Sequence, residues 1–201
     1  MSPIDALTPR VGLERFGRLR SLVKDGSSVS LSEISVLIGC GLAAAAAISL
    51  LGGQRWGIPG HAIVRAALPV SLGLALVPRR FSGSMVSLVG AAGIALFLAL
   101  GVGRLPLPAV VALCGFGPSL DLATAERFAK LHLYVRFVVA GVAANSLALI
   151  LVLSRAWLEI DELHGFVSYY VLCYVACGAV AGAVSGFVFF RSSGRDREAR
   201  K

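Results

Sequence analysis

Ile34-Ser-Val-Leu-Ile-Gly-Cys-Gly-Leu-Ala-Ala-Ala-Ala-Ala-Ile-Ser-Leu-Leu51 runs for eighteen residues without a charge. At 1.5 Å per residue such a helix is about 27 Å long, close to the ~30 Å thickness of a bilayer's hydrocarbon core. Five further runs repeat the pattern: Ile58 to Val77, Met85 to Val102, Leu105 to Ala123, Leu133 to Leu153 and Phe166 to Phe190. The sequence therefore predicts an all-α, polytopic integral membrane protein built as a six-transmembrane-helix bundle.

The basic residues give this ladder a direction. With the N-terminus in the cytoplasm, Arg10, Arg15, Arg18, Arg20 and Lys24 of the leader share a side with Arg79 and Arg80, with Arg127, Lys130 and Arg136, and with Arg191, Arg195, Arg197, Arg200 and Lys201 of the tail. Arg55, Arg65, Arg104 and Arg155 fall on the other side, where Glu159, Asp161 and Glu162 offset them. Fifteen cations against four predict both termini in the cytoplasm and a cell (inner, cytoplasmic) membrane location. The expected organisation is a basic leader and hinge over 1–32, a membrane domain over 33–190 and a basic tail over 191–201.

Composition points the same way, because 57% apolar and 15% charged residues leave too little polar surface to cover a soluble globule. The net charge of +8 does not suggest nucleic acid, since the cations sit beside apolar segments and not along one face with exposed aromatics. Anionic lipids are the simpler partner. Val11, Phe16, Leu19 and Leu22 predict a basic amphipathic helix from Pro9 to Asp25, without the continuous apolar core of a cleavable signal peptide. Ser32 with Glu33 then caps the first span.

Catalytic patterns are missing from the reading. Lys24, Lys130 and Lys201 lack the glycine pattern of a phosphate-binding loop. Ser82, Ser84 and Ser185 are expected toward the cytoplasmic side, away from His61 and His164, which argues against a serine hydrolase. Cys40, Cys114, Cys173 and Cys177 lie inside apolar runs, where a thiol acts as a small hydrophobe, and no metal or cofactor is called for. The expectation is a protein that is not an enzyme.

Small residues at four-residue spacing mark faces that approach other helices closely. Gly178, Gly182 and Gly186, and Ala140, Ala144 and Ala148, suit packing inside the bundle. The first span is small around almost its whole circumference, with Gly39, Ala43 and Ala47 on one stripe and Gly41, Ala45 and Ser49 on the next. That face suits docking on another membrane protein.

Trp56-Gly-Ile-Pro-Gly-His61 opens the second span with residues that start a helix sharply and leave first-turn N–H groups for an acceptor. His61 and Arg65 share a face, and Arg65 lies about 10 Å along from Ile58. There a guanidinium either snorkels to the surface or meets water, a partner or a ligand. Trp56, Gly60, His61 and Arg65 with the helix terminus make a candidate outward-facing site for an anionic or polar group. Arg155 to His164 is expected as the last external loop, with Trp157 as an interfacial anchor. Tyr169, Tyr170 and Tyr174 follow it, and Tyr170 and Tyr174 are candidate pocket residues beside His164. Asn145 near mid-membrane is expected to bond across helices. Asp121 is expected to pair with Arg136, Arg127 or the Arg79-Arg80 loop, as a structural or coupling residue. Pro106, Pro108, Gly115, Gly117 and Pro118 make the fourth segment the least regular, in the manner of a broken transporter helix.

Gly57-Ile-Pro-Gly-His61, Val77-Pro-Arg-Arg80 with Gly83, Gly101-Val-Gly103 and Gly117-Pro-Ser-Leu-Asp121 resemble the S component of energy-coupling-factor (ECF) transporters, over about a third of the chain. The resemblance implies a substrate-capture subunit of an ABC-type importer. It would bind a small-molecule solute at its outer face and dock through its alanine-rich helix on a transmembrane coupling subunit with ATPase subunits. The chain opens Met1-Ser2-Pro3 and lacks the Met-His start of the metal-transporting members, so a vitamin-like organic molecule fits better than a metal ion. A small membrane scaffold or assembly protein without a transported ligand is the alternative, and an ion-coupled carrier acting alone is a third reading.

Overall fold

The computed structural model describes residues 7–9, 29–50, 58–102, 106–125, 131–158 and 166–192. Six helices carry the fold: α1 Leu31–Ser49, α2 Ala62–Leu76, α3 Ser82–Ala99, α4 Leu107–Ala123, α5 Leu133–Trp157 and α6 Val167–Phe189. A three-residue antiparallel pair joins β1 Leu7–Pro9 to β2 Phe190–Ser192 just beyond α6. The rest of the expected leader helix lies outside the described residues.

Helices α1, α3, α5 and α6 are long and apolar enough to cross a membrane. Large apolar side chains such as Leu88, Leu96, Val139, Ile150, Leu172 and Phe187 face outward along them. Water would penalise an apolar belt of that extent, so this is a membrane protein. The two other helices are shorter than their apolar runs suggested. α2 has 15 residues and α4 has 17, or roughly 22 and 25 Å of helix. α2 loses its first turn to Pro59 and Gly60, whose φ of 79° no right-handed helix accepts. It ends at Val77 because Pro78 pushes the residue before it out of the α region.

Neighbours in the bundle run α1–α3–α4–α5–α6, and α2 packs between α1 and α6 while also touching α3 and α4. Its small side chains allow this central position: Ala66, Ala67, Val70, Ser71 and Gly73 are all buried. The closest approaches are made by glycines. A Cβ on Gly117 would collide with the Gly83 carbonyl, and one on Gly141 with the Gly178 carbonyl, so α3–α4 and α5–α6 meet backbone to backbone. α4 is one continuous helix and not a broken one. Pro108 sits in its first turn, where no N–H is needed, and Pro118 is accommodated in its interior.

On α1, Gly41 and Ala45 are buried against α3, where Gly41 meets Val89 and Ala45 meets Gly93. Only the other stripe faces outward: Gly39 and Ala43 are exposed and Ala47 is half-buried. The expected docking face is therefore half as wide as the sequence suggested, since α3 occupies the rest.

A pair of glycine substitutions checks this packing by thermal unfolding in detergent. Gly178→Ala places a methyl group 2.6 Å from the Gly141 carbonyl oxygen and should cost about 1–3 kcal/mol. Gly39→Ala meets nothing within 4 Å and should be neutral or stabilise by about 0.5–1 kcal/mol. Equal effects would contradict the assigned faces.

Candidate functional site

The two ends of the bundle are built differently. At one end gather the first turns of α1, α3 and α5 and the last turns of α2, α4 and α6, and polar side chains tie them together. Ser30, not Ser32, caps α1: its Oγ accepts from the Glu33 N–H at 3.2 Å and its own N–H donates to Glu33 Oε2 at 2.8 Å. That capping box orients Glu33 toward Arg79, just after α2. Arg79 donates through Nε (3.0 Å) and Nη2 (2.9 Å) to the two carboxylate oxygens, a two-pronged pair with little solvent access.

Asp121, at the end of α4, bonds neither to Arg136 nor to the Arg79-Arg80 loop, and Arg127 lies outside the described residues. Its Oδ1 accepts from the Gly83 N–H at 2.9 Å, and its Oδ2 accepts from the Ser84 N–H at 2.8 Å and Ser84 Oγ at 2.6 Å. A neighbouring helix thus supplies the N-terminal cap that α3 lacks in its own sequence, where Phe81 occupies the cap position in the left-handed region. Arg136 donates instead to the Ala123 carbonyl at 3.0 Å, joining α5 to the end of α4.

The opposite end holds the candidate site. Asn145 sits halfway along α5, and its Nδ2 donates to the Tyr174 carbonyl at 2.7 Å and the Gly60 carbonyl at 3.3 Å. The start of α2 is therefore sunk into the bundle. It lies roughly 18 Å below the end of α5 at Trp157 and about 10 Å below the start of α6. The Tyr174 ring covers Gly60, where any Cβ would come within 3.0 Å of both that ring and Asn145 Nδ2. Cys177 Sγ lies 3.8 Å from the Pro59 carbonyl. His61 Nδ1 is 2.6 Å from the Ile58 carbonyl, so Nδ1 carries the proton and holds the ring across the turn. Arg65 is one turn deeper, with Nη2 shielded from solvent.

Gly60, Tyr174 and Asn145 thus meet at one helix start, and His61 and Arg65 follow it on α2. Tyr170 lies one turn toward the surface from Tyr174 and stacks edge-on with Tyr169. Trp56 and His164 lie outside the described residues. Arg155 and Trp157 belong to the last turn of α5 and not to a loop, with Trp157 strongly exposed. Among the described residues, no group of three or more His, Cys, Asp or Glu could hold a metal ion. The sequence reading missed the Glu33–Arg79 pair. Its partners are 46 residues apart, and the one available signal was an acid at the third helical position after a serine.

Comparison with protein-family models, with curated proteins and with solved structures finds no match to this chain.

The polar tie between α1 and α2 is measurable in a double-mutant cycle. Glu33→Ala and Arg79→Ala should each cost about 3 kcal/mol, because each strands a shielded charge, while the double variant should cost much less than their sum. Arg80→Ala, at an exposed position, should stay within about 0.5 kcal/mol of the parent. Additive losses for the pair would refute the tie.

Proposed function

We propose that the chain captures a small organic solute, as the S component of an ECF-type importer does, at the end of the bundle where α2 begins. The observation that carries this reading is the sunken helix start. A chain with no solute to hold has no need to set a helix terminus under a tyrosine ring about a third of the way into an apolar bundle, with an arginine in the next turn. In this reading all six helices lie within the cytoplasmic membrane, and the clasped end and both termini face the cytoplasm. The basic leader and tail rest on anionic lipid.

The same resemblance assigns the outward stripe of Gly39, Ala43 and Ala47 to a transmembrane coupling subunit, whose ATPases supply energy that this chain has no phosphate-binding loop to provide. Small residues let two helix backbones approach and slide without interlocking side chains. The polar clasp keeps α1 registered against α2 and α3 against α4, while the opposite end stays free to admit a ligand. A membrane scaffold would use the glycine contacts equally well, but it gives the buried polar corner no work.

Thermal-shift screening of the purified protein against a broad vitamin and metal panel tests the reading. A stabilising organic ligand is expected, with a shift that Arg65→Ala abolishes, and ATPase and coupling subunits should copurify from native membranes. Indifference to the whole panel together with isolation free of ATPase partners would favour the scaffold.

A further inference from the structure

Phe81 is held in a conformation that its side chain disfavours. Its φ of 71° lies in the left-handed region, and among the described residues no other residue except glycine is found there. A bulky side chain stays in that region only where its surroundings compensate the strain. The fold does little of this, because 56% of Phe81 is exposed. Nor does α3 need the ring to begin, since Asp121 already bonds the Gly83 and Ser84 N–H groups. Whatever meets the ring comes from outside the chain.

Arg80 stands beside it, its guanidinium carbon over the Phe81 ring and 5.1 Å from the centroid. The acids of this end are already matched, Glu33 by Arg79 and Asp121 by the start of α3. Among the described residues none of them pairs with Arg80. One turn into α3, Met85 begins an outward apolar stripe that continues through Leu88 and Ala92 to Leu96, at three- and four-residue spacing. From Met85 to Leu96 the stripe runs roughly 16 Å, about half the ~30 Å hydrocarbon core and so the depth of one leaflet. With that stripe in hydrocarbon, the Phe81 ring lies at its edge and the guanidinium at the level of the headgroups.

A cation that closes one end of an apolar stripe one leaflet deep matches an amphiphile with a negatively charged head. We propose that the α2–α3 turn holds an anionic phospholipid, with its phosphate on Arg80, its glycerol region against the Phe81 ring and an acyl chain along Met85, Leu88, Ala92 and Leu96. Charge and length both favour lipid over a protein partner, which would have to bring a carboxylate to Arg80 and an apolar surface to the stripe at the same separation. The site is distinct from the basic leader and tail. It is also independent of the capture reading, since it needs only that α3 crosses the membrane.

Fluorescence quenching by brominated lipid tests it on the full chain in nanodiscs. The reporter is Phe81→Trp in a chain that also carries Trp56→Phe and Trp157→Phe, and the nanodiscs are phosphatidylcholine with a minor share of brominated phosphatidylglycerol or brominated phosphatidylcholine. Phosphatidylglycerol should occupy the site about fivefold more strongly, the factor that one cation near an anionic surface supplies. Adding Arg80→Gln should bring the ratio near unity. A ratio near unity before that change, or an unaltered ratio after it, would overturn the site and leave any lipid preference to the leader and tail. Absence of quenching by either lipid would put the ring against protein and overturn it too. Phe81→Gly gives a second arm, because it removes the ring and the left-handed strain together. Its melting temperature in neutral detergent should be no lower than the parent's, while the extra stabilisation by phosphatidylglycerol over phosphatidylcholine falls. A lower melting temperature in detergent would show that the ring serves the fold, and the proposal would fail.

Discussion

One side-chain amide sets the layout of the end where α2 begins. Asn145 donates to carbonyls from two other segments, the turn before α2 and the middle of α6, and so pins α2 at a depth its apolar run would not choose. Within a membrane, a polar group that is not bonded to protein has nothing else to bond to. The cost of losing those partners is what allows a single residue to hold a helix start below the surface. The Tyr174 ring over Gly60, the Cys177 contact with Pro59 and the depth of Arg65 all follow from that position.

The two ends differ in kind because their polar groups are satisfied differently. At the clasped end carboxylates do the work: Glu33 closes its own helix and grips Arg79, while Asp121 caps α3 from α4. Each contact ties helices that are already neighbours, so that end is a fixed frame. At the other end a neutral amide holds a helix start whose own N–H groups remain unused by the helix. Between them, glycine contacts let α3–α4 and α5–α6 pack on backbone, which fixes the spacing of each pair. A rigid base below a polar corner is the arrangement on which the proposed capture function rests.

Much of this was legible in the sequence, for physical reasons that differ by residue. Apolar runs locate helices because lipid admits little else, and each of the six runs overlaps one. A lone asparagine in such a run must find partners, so a cross-helix role can be read while the partners cannot. Helix ends read less well. Ile58 counts as apolar wherever it lies, and only the left-handed Gly60 after Pro59 shows that α2 begins later. Which face of α1 is free was illegible because five consecutive alanines make its sides alike, and only α3 distinguishes Gly41 from Gly39. Charge alone pointed Asp121 toward arginines, whereas among the described residues two backbone N–H groups and a hydroxyl bond to it.

The depth of the α2 start can be measured by cross-linking. In a chain carrying Pro59→Cys, with Cys40, Cys114 and Cys173 replaced by serine, mild oxidation should form a disulfide with Cys177, whose sulfur lies 3.8 Å from the Pro59 carbonyl. If α2 instead began at the rim, level with Phe166, residue 59 would sit roughly 16 Å from Cys177. No disulfide would then form, and the sunken corner would not exist.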